Sequence, residues 1–463
     1  MAANFLKNNK WIHFIGINGS SMSGLAILCM KRGIKVTGSD IEHTAIMDKL
    51  ISLGANVYIP HDSAKLGQPD LVVFTAAVHP DNVEYIQAEK EGIPLMERSV
   101  FLGKLMDEFK YGIAVSGAHG KTTTTTLTAY LLEKMGFDPT IHCGGEADFI
   151  GGSVKSGKSE YFVTEACEFH GTFLQLNPYI GIILNIDFDH VDWFKTFDNM
   201  KKSFKEFADR IDKNGYLIAC YDDLPTREVA EQVKCNVIYY GENNKELDYS
   251  CVDVQIDDLG KPSYELYIRG KKTCDVKLDV NGRHNALNSL AVIAVLDILG
   301  ADVKEACRHL TEIPGAKRRF DLTGEAGGVK VFTDYAHHPT EIDVTLETAS
   351  KMKHRKLYAA FEPHTFSRVK VLFDQFAHCF RYADFVIMAD IYNDRETTDK
   401  DVSSEKLTKA INAVGTEAIY LPTYKEIEDY FFDHLQEGDI VMILGSKYLE
   451  CIAKPLVERL QKK

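Results

Sequence analysis

The chain has 463 residues, enough for about two to four domains that each bury a core of their own. Its 53 lysines and arginines against 67 aspartates and glutamates give a formal net charge of −14, which argues against nonspecific nucleic-acid binding. No apolar run approaches the roughly eighteen residues of a membrane span, and no signal sequence is visible, so we expect a cytoplasmic protein with no membrane partner. The ten cysteines contain no Cys-x-x-Cys pair, which favours reduced core thiols over zinc ligands or disulfides.

Residues 11–107 alternate short apolar runs with helical stretches, a rhythm typical of a parallel sheet. A second strand–loop–helix start follows at Ile113–Thr126, so we place a domain boundary between them and expect a Rossmann-like domain over residues 1–107. The predicted strands of this domain are Trp11–Ile15, Ile34–Gly38 and Leu71–Phe74.

The first predicted strand runs into a glycine-containing loop, Gly16–Gly24, and Asp40 closes the second strand. In a dinucleotide fold such a loop holds a pyrophosphate at a helix N-terminus. Asn18 and Ser21 stand where the strict fingerprint has glycine, so a UDP-linked sugar is the candidate ligand, with NAD or a ligand-free turn as alternatives. The residues predicted to bind the UDP sugar are Gly16, Asn18, Gly19, Ser20, Ser39, Asp40, Thr75 and Ala76.

The segment after the apolar run Ile113–Val115 is a glycine turn followed by a helix that opens on a lysine and threonines. Glycines let backbone N–H groups surround an anion, the lysine reaches terminal phosphates, and a threonine hydroxyl can ligate Mg²⁺. The turn has two residues between its glycines instead of four, which is typical of the ATP-dependent ligases of cell-wall precursors and folylpolyglutamate; the alternative is a helix that happens to begin with Gly-Lys-Thr. The predicted nucleotide-binding residues are Gly117, Ala118, His119, Gly120, Lys121, Thr122 and Thr123.

Two further predicted strands, Tyr161–Thr164 and Ile180–Leu184, each run into acidic residues, and ligand groups gather at the carboxyl ends of strands in open α/β sheets. Glu165 and His190 suit a Mg²⁺ ion beside the nucleotide loop, although Mg²⁺ prefers oxygen ligands. Glu168 is either part of this site or a solvated turn carboxylate. The predicted metal ligands are Thr122, Glu165 and His190.

The rest of the chain predicts antiparallel strands around residues 250–278, a helix over Arg283–Leu299, and a renewed βα rhythm after Pro314. We therefore expect an α/β protein of three domains: a Rossmann-like domain 1–107, a central mixed-sheet domain 108–314 of the P-loop ATPase type, and a Rossmann-like domain 315–463. The predicted strands of the last domain are Val329–Thr333, Lys356–Phe361, Phe385–Asp390, Glu417–Leu421 and Ile440–Leu444.

Taken together, these motifs resemble the Mur ligases, and the resemblance covers nearly the whole chain. Several of the motifs are weak singly, but their common order and spacing are specific. The motifs are Gly16–Gly24, Gly117–Thr124, Glu165–Leu174, Asn185–His190, Gly282–Asn288, Gly315–Phe320, Asp334–Glu341 and Phe361–His364.

The resemblance implies ATP-dependent ligation of L-alanine to the lactyl carboxylate of UDP-N-acetylmuramate, a step of peptidoglycan precursor synthesis. The reaction it implies forms an acyl phosphate first, with Mg²⁺ as cofactor, in a monomer or homodimer. The catalytic residues it implies are Lys121, Glu165, His190, Arg319 and His338. It adds His284, Asn285, Asn288, Arg319 and Asp334 to the ATP site, with Arg318 as an alternative to Arg319, and assigns His337, His364 and Arg368 to the amino acid.

Several of these assignments have simpler alternatives. His284 and Asn285 could form a polar patch, the Arg318-Arg319 pair a solvated loop charge, and Arg368 an ion pair with a surface acid. The two adjacent histidines His337 and His338 suggest zinc, but no third ligand has suitable spacing.

The chain departs from the usual family pattern at a few positions. Cys167 and His170 replace acids near the metal, Thr365 replaces an arginine, and Leu444–Tyr448 replaces a Gly-Ala-Gly-Asp motif. Two other functions remain open: a recycling ligase that joins a murein tripeptide to the same sugar nucleotide, and a noncatalytic nucleotide-gated scaffold. The short interval between Glu165 and His190 favours the alanine ligase.

Overall fold

The computed structural model describes residues 5–313, 319–393, 396, 398–399, 401–445 and 448–463. The predicted motif residues 315–318, with Arg318 among them, and residues 446–447 lie outside the described residues. The chain divides into two compact units: Met1–Ile186 with Met200–Tyr240 and Ala291–Ala306, and Asp187–Asn199 with Gly241–Leu290 and Cys307–Lys463.

The first unit contains a parallel five-stranded sheet in the order β3-β2-β1-β4-β5. Its central strand is buried on both faces, as expected where helices cover both sides of a parallel sheet. The strands are β1 (Trp11–Ile15), β2 (Lys35–Ser39), β3 (Asn56–Tyr58), β4 (Leu71–Phe74) and β5 (Leu95–Glu97). The helices are α1 (Ser20–Lys31), α2 (Ala45–Ser52), α3 (Val83–Glu91) and α4 (Arg98–Met106).

A second sheet of this unit has the order β12-β11-β10-β6-β9-β7-β8, parallel except for the antiparallel β7–β8 pair. The strands are β6 (Tyr111–Ser116), β7 (Thr140–Ala147), β8 (Gly152–Lys155), β9 (Tyr161–Glu165), β10 (Ile180–Ile183), β11 (Tyr216–Cys220) and β12 (Asn236–Glu242). The helices along this stretch are α5 (Lys121–Lys134), α6 (Val191–Phe194), α7 (Phe197–Ala208) and α8 (Leu224–Ala230).

The second unit begins its strand structure with an antiparallel meander, which confirms the prediction for residues 250–278. Its strands are β13 (Tyr249–Ile256), β14 (Pro262–Ile268) and β15 (Lys271–Lys277), followed by α9 (His284–Ile298) and α10 (Val303–His309).

The six-stranded sheet of this unit has the order β16-β17-β21-β18-β19-β20, and only the β16–β17 pair is antiparallel. The strands are β16 (Asp321–Ala326), β17 (Val329–Asp334), β18 (Leu357–Glu362), β19 (Phe385–Met388), β20 (Ala418–Tyr420) and β21 (Ile440–Gly445). The helices are α11 (Pro339–Ser350), α12 (Phe366–Val371), α13 (Phe373–His378), α14 (Ser404–Ala413), α15 (Tyr424–His434) and α16 (Ala453–Leu460).

The predicted α/β class and its three sheets are confirmed, while the domain boundaries at residues 107 and 314 stay predictions. The edge strands β3, β5 and β16 were not predicted, because β3 and β5 have only three residues each and β16 is mostly polar and contains no apolar run. Among the described residues, no helix combines the length and apolar character needed to cross a membrane.

Candidate functional site

The predicted nucleotide loop connects β6 to α5 at the carboxyl edge of its sheet. Gly117 and Gly120 have φ angles of +142° and +83°, a region that side chains disfavour, so glycine is required for this turn. A Cβ at Gly117 would lie 3.0 Å from Cβ of Leu184 on the neighbouring chain segment. The loop therefore folds tightly at the start of a fourteen-residue helix, an arrangement suited to phosphate.

Lys121 turns back over this loop. Its Nζ donates to the carbonyl oxygens of Gly117 at 2.6 Å and Ala118 at 3.0 Å, and lies 2.9 Å from Oε2 of Glu168. Burial by itself lowers the pKa of Lys121, but the charge and hydrogen bond of Glu168, together with the charges of Cys167, once ionised, and Glu165, outweigh it and hold the pKa above its usual range. The lysine is thus a fixed positive charge at the loop.

Glu168 is fully buried, so the interpretation of this residue as a solvated turn carboxylate is wrong. The reason is the pairing with Lys121, which compensates the cost of burying a carboxylate. Its neighbour Cys167 stands where the family usually has an acid, and burial followed by the charge of Glu168 raises the pKa of the thiol to about 11. Cys167 therefore adds no charge to the site at neutral pH.

The nucleotide loop is also held by Asn185, which lies two residues after the end of β10. Its Oδ1 accepts from the N–H of His119 at 2.8 Å, its Nδ2 donates to the carbonyl of His119 at 3.1 Å, and its own carbonyl accepts from Ala118. No role had been assigned to this residue from the sequence, although its place directly after a buried strand was a usable signal.

Glu165 ends β9 next to β6, and its Oε1 accepts from the N–H of Gly144 at 2.8 Å. A Cβ at Gly144 would lie 2.5 Å from Oε2 of Glu165, and a Cβ at Gly145 would lie 3.0 Å from Cγ2 of Thr122. The two glycines thus leave room beside a carboxylate and a threonine, the oxygen ligands that Mg²⁺ prefers. These residues fit a magnesium ion.

The glycine loop after β1 fits a diphosphate at the N-terminus of α1. Gly16 has φ +81°, and a Cβ there would lie 2.9 Å from Cγ2 of Thr75. The N–H of Asn18 donates to Oδ2 of Asp40 at 2.8 Å, and Asn18 Nδ2 donates to the carbonyl of Glu42 at 2.6 Å. Asp40 thus braces the loop itself. Of the other predicted residues, Gly19, Ser20 and Ala76 are exposed.

Ser39 is fully buried and belongs to a polar cluster that the sequence did not predict. Its hydroxyl donates to the buried carboxylate of Glu84 and lies 2.7 Å from Nδ1 of His61. Burial raises the pKa of Glu84, but the hydrogen bonds from His13, His61 and Ser39 outweigh it and hold the pKa well below its usual range. Glu84 lies at the start of an otherwise ordinary helix and gave no sequence signal.

In the second unit, Arg368 is engaged by the chain itself. Its Nε and Nη2 donate to Oδ1 of Asp189 at 2.9 and 2.8 Å, and Nη1 donates to the carbonyl of His364 at 3.1 Å. Burial raises the pKa of Asp189, but the charge of Arg368 together with those of His190, His337 and His338 outweighs it and holds the pKa well below its usual range. Arg368 thus pairs with a buried acid rather than a surface one. His190 follows Asp189 in a left-handed conformation, with φ +49°.

The two adjacent histidines face different partners. Nδ1 of His337 donates to the carbonyl of Tyr335 at 2.9 Å, and burial lowers the pKa of this histidine to about 4. His338 is fully buried and caps α11: its Nδ1 accepts from the N–H of Thr340 at 3.3 Å, and its Nε2 donates to the carbonyl of Phe188 at 3.4 Å. His337 is therefore neutral at pH 7 and His338 is oriented by the backbone.

Asp334, at the end of β17, accepts from the N–H groups of Phe320 and Ala336, both at 2.7 Å. Burial raises the pKa of Asp334 to about 6, against the opposing charge of Arg319. The guanidinium carbon of Arg319 lies 5.3 Å from the ring centre of Tyr335. Arg319 therefore stays close to Asp334 and is not an isolated loop charge.

The predicted adenine-site residues lie together at the start of α9. Nδ2 of Asn288 donates to Oδ1 of Asn285 at 2.9 Å, and Nδ2 of Asn285 donates to the carbonyl of Asn281 at 2.7 Å. Both asparagines are buried, and Gly282 has φ +100° at a place where a Cβ would lie 2.8 Å from Nδ1 of His284. They form an organised cluster rather than an exposed polar patch.

Three domain profiles match the chain in succession. They are described as Mur ligase family, catalytic domain, over residues 11–110; Mur ligase middle domain, over residues 115–296; and Mur ligase, glutamate ligase domain, over residues 318–447.

Curated relatives and solved structures agree with these matches. The chain is 44% identical to the UDP-N-acetylmuramate–L-alanine ligase of Caldanaerobacter subterraneus subsp. tengcongensis, covering 99% of both chains. It is 45% identical to the ligase of the same name from Alkaliphilus metalliredigens, covering 97% of both chains. The crystal structure of UDP-N-acetylmuramate–alanine ligase from Thermotoga maritima matches with a TM-score of 0.82 and 28% identity, over 98% of this chain and 99% of that one. A murein peptide ligase from Psychrobacter arcticus matches with a TM-score of 0.72 and 25% identity, over 98% and 99%.

Proposed function

The chain belongs to the Mur ligase family, and we propose that it joins L-alanine to the lactyl carboxylate of UDP-N-acetylmuramate, with conversion of ATP to ADP and phosphate. The observation that carries this proposal is likeness along the whole chain to ligases of that name, at 44% and 45% identity. The murein peptide ligase fold is a poorer match, with a TM-score of 0.72 against 0.82 for the alanine ligase.

The first step brings a carboxylate towards a triphosphate, so negative charge must be neutralised. A lactyl carboxylate oxygen attacks the γ-phosphorus, the bond to the β–γ bridging oxygen breaks, and ADP leaves. Lys121 supplies a positive charge at the loop, and its amine exchanges the carbonyls of Gly117 and Ala118 for phosphate oxygens. Asn185 keeps the loop in shape while this exchange takes place.

Mg²⁺ would be held by Thr122 and Glu165, with His190 as the further predicted ligand. When bound, the ion neutralises phosphate charge and orients the transferring group. For Glu165 to ligate it, Oε1 must give up its hydrogen bond from Gly144.

In the second step the uncharged amine of L-alanine attacks the acyl carbon, the bond to the phosphate oxygen breaks, and the leaving phosphate takes the proton that the nitrogen loses. We assign the amino acid to His337, His364 and Arg368. Because Nδ1 of His337 donates to a carbonyl, Nε2 is left as a hydrogen-bond acceptor for the ammonium group. Arg368 keeps His364 in place while it is itself held by Asp189.

The test is phosphate release from ATP with UDP-N-acetylmuramate and each amino acid in turn, with the product identified by mass spectrometry. We expect release that requires both the sugar nucleotide and L-alanine. Better use of an alanine-headed tripeptide would identify a recycling ligase, and ATP binding without turnover would identify a noncatalytic scaffold.

A further inference from the structure

Two hydrogen-bonded connections join the glycine loop of the five-stranded sheet to Glu165 of the neighbouring sheet, and both pass through β7. The shorter one ends at the carboxylate of Glu165 and the longer one at its backbone carbonyl. The shorter one uses Gly144 alone. Its carbonyl accepts from Oγ of Ser20 at 3.3 Å, and its N–H donates to Oε1 of Glu165 at 2.8 Å. The start of α1 and the carboxylate of Glu165 are therefore connected through the backbone of a single residue, Gly144.

The longer connection runs through a buried histidine. Arg98 Nη1 donates to Oγ of Ser21 at 3.3 Å, Ser21 lies 3.0 Å from Nε2 of His142, and Nδ1 of His142 lies 3.0 Å from Oγ1 of Thr164. The hydroxyl of Thr164 donates to the carbonyl of Glu165 at 3.1 Å.

The hydroxyl protons in this connection can be assigned. Since Thr164 uses its proton on a carbonyl, it accepts from His142, which must carry a proton on Nδ1. Nε2 of His142 is then an acceptor, and Ser21 donates to it. Burial, followed by the charge of Arg98, lowers the pKa of His142 to about 4, so the ring has a single proton at neutral pH.

The packing around the longer connection is tight, whereas Ser20 and Gly144 of the shorter one are exposed. A Cβ at Gly24 of α1 would lie 2.6 Å from Cγ1 of Val154 and 3.6 Å from Cδ2 of His142. His142 is 4% exposed and Thr164 is fully buried. A shift at the N-terminus of α1 is therefore transmitted to β7 rather than absorbed by solvent.

We propose that His142 and Gly144 are positioning residues that couple the sugar nucleotide at the glycine loop to the Mg²⁺-binding carboxylate of Glu165. This inference rests on the proposed function. Each serine hydroxyl has one proton, so a diphosphate oxygen that takes the proton of Ser20 or Ser21 removes it from Gly144 or His142. Loss of the hydrogen bond from Ser20 lets Gly144 shift, so that its N–H releases Oε1 of Glu165, the oxygen that would hold the ion. The sugar nucleotide and the metal-bound nucleotide thus bind more tightly together than separately.

The test is calorimetric titration of the full chain with the Mg²⁺ complex of a nonhydrolysable ATP analogue, with and without saturating UDP-N-acetylmuramate. We expect the sugar nucleotide to tighten binding of the wild type by about fivefold or more, the range of typical coupling between sites. Thr164→Val removes the hydroxyl while keeping the shape, and His142→Phe removes both ring nitrogens. Each should lower the ratio, because only the connection through Gly144 is then left. Thr164→Ser keeps the hydroxyl and should keep the ratio.

A ratio that is the same in wild type and Thr164→Val overturns the proposal, as does a wild-type ratio of one. If His142→Phe does not fold, as judged by its melting curve, the comparison of Thr164→Val with Thr164→Ser tests the proposal by itself. If the wild type binds the nucleotide but no UDP-N-acetylmuramate, the proposed function fails and the coupling fails with it. If the wild type binds both ligands independently of each other, the proposed function is unaffected and only the proposed coupling is contradicted.

Discussion

Arg368 donates two hydrogen bonds to one carboxylate oxygen of Asp189, at 2.8 and 2.9 Å, and the two side chains are 7% and 5% exposed. This buried ion pair changes the role that can be assigned to Arg368. The sequence assigns it to the carboxylate of the amino acid, whereas in the structure most of its donors already serve Asp189 and His364. Its removal should therefore affect stability as well as substrate binding.

We expect Asp189→Asn to lower the free energy of unfolding by about 3–5 kcal/mol, because it leaves the buried guanidinium of Arg368 without its counterion. Chemical denaturation measures this change. Asp192→Asn, an exposed acid three positions along the chain, is the matched control and should leave stability unchanged. Equal stability of both variants would show that the ion pair is not buried in solution.

Lys121→Met should reduce turnover by roughly 10²–10³-fold, the typical loss when one transition-state charge stabiliser is removed. It should also destabilise the fold, because the positive charge beside the fully buried Glu168 is removed. Adding Glu168→Gln should restore much of the stability and none of the turnover. Steady-state kinetics and melting curves on the wild type and these two variants separate the two effects. Recovery of activity in the double variant would contradict the role of Lys121.

Glu165→Gln should raise the Mg²⁺ concentration needed for half-maximal activity, since a neutral amide oxygen is a weaker ligand for a hard cation than a carboxylate. Mg²⁺ titration of phosphate release measures it. The exposed Glu160→Gln is the control. His190→Ala should have a smaller effect, and an unchanged Mg²⁺ requirement in both variants would refute the metal assignment.

Asp334 should make the fold more stable in acid. Its pKa of about 6 in the folded chain exceeds the unfolded value of about 3.9, so its contribution is fully present below about pH 4 and is lost as pH rises through 6. Asp334→Asn mimics the neutral acid. Its melting temperature relative to wild type should therefore rise between about pH 4 and pH 6.5, while the exposed Asp374→Asn should show no such trend.

Glycine should react in place of L-alanine, but roughly tenfold or more less efficiently, since one methyl group in a fitted pocket is worth about 1–3 kcal/mol. Competition between the two amino acids, with products separated by mass, gives the ratio of kcat/KM directly. Equal use of both would mean that the pocket does not contact the methyl group.

The central strands of each sheet, the turn before α5 and several residues at the carboxyl edge of the sheet that contains β6 were predicted from the sequence. β1 and β4 have the predicted bounds, and β17, β18 and β21 begin and end within one residue of prediction. These features are local: a strand follows from a run of apolar residues, and a phosphate turn follows from glycines at positions of positive φ.

The partners of the buried charges were decided only by the tertiary structure. Glu168 lies 47 positions from Lys121, Glu84 lies 45 positions from Ser39, and Asp189 lies 179 positions from Arg368. A pattern along the chain shows that a residue is charged, but not whether it is buried. Burial makes an unpaired charge costly, so the partner is fixed by which strands and helices pack together, and no local signal contains that information.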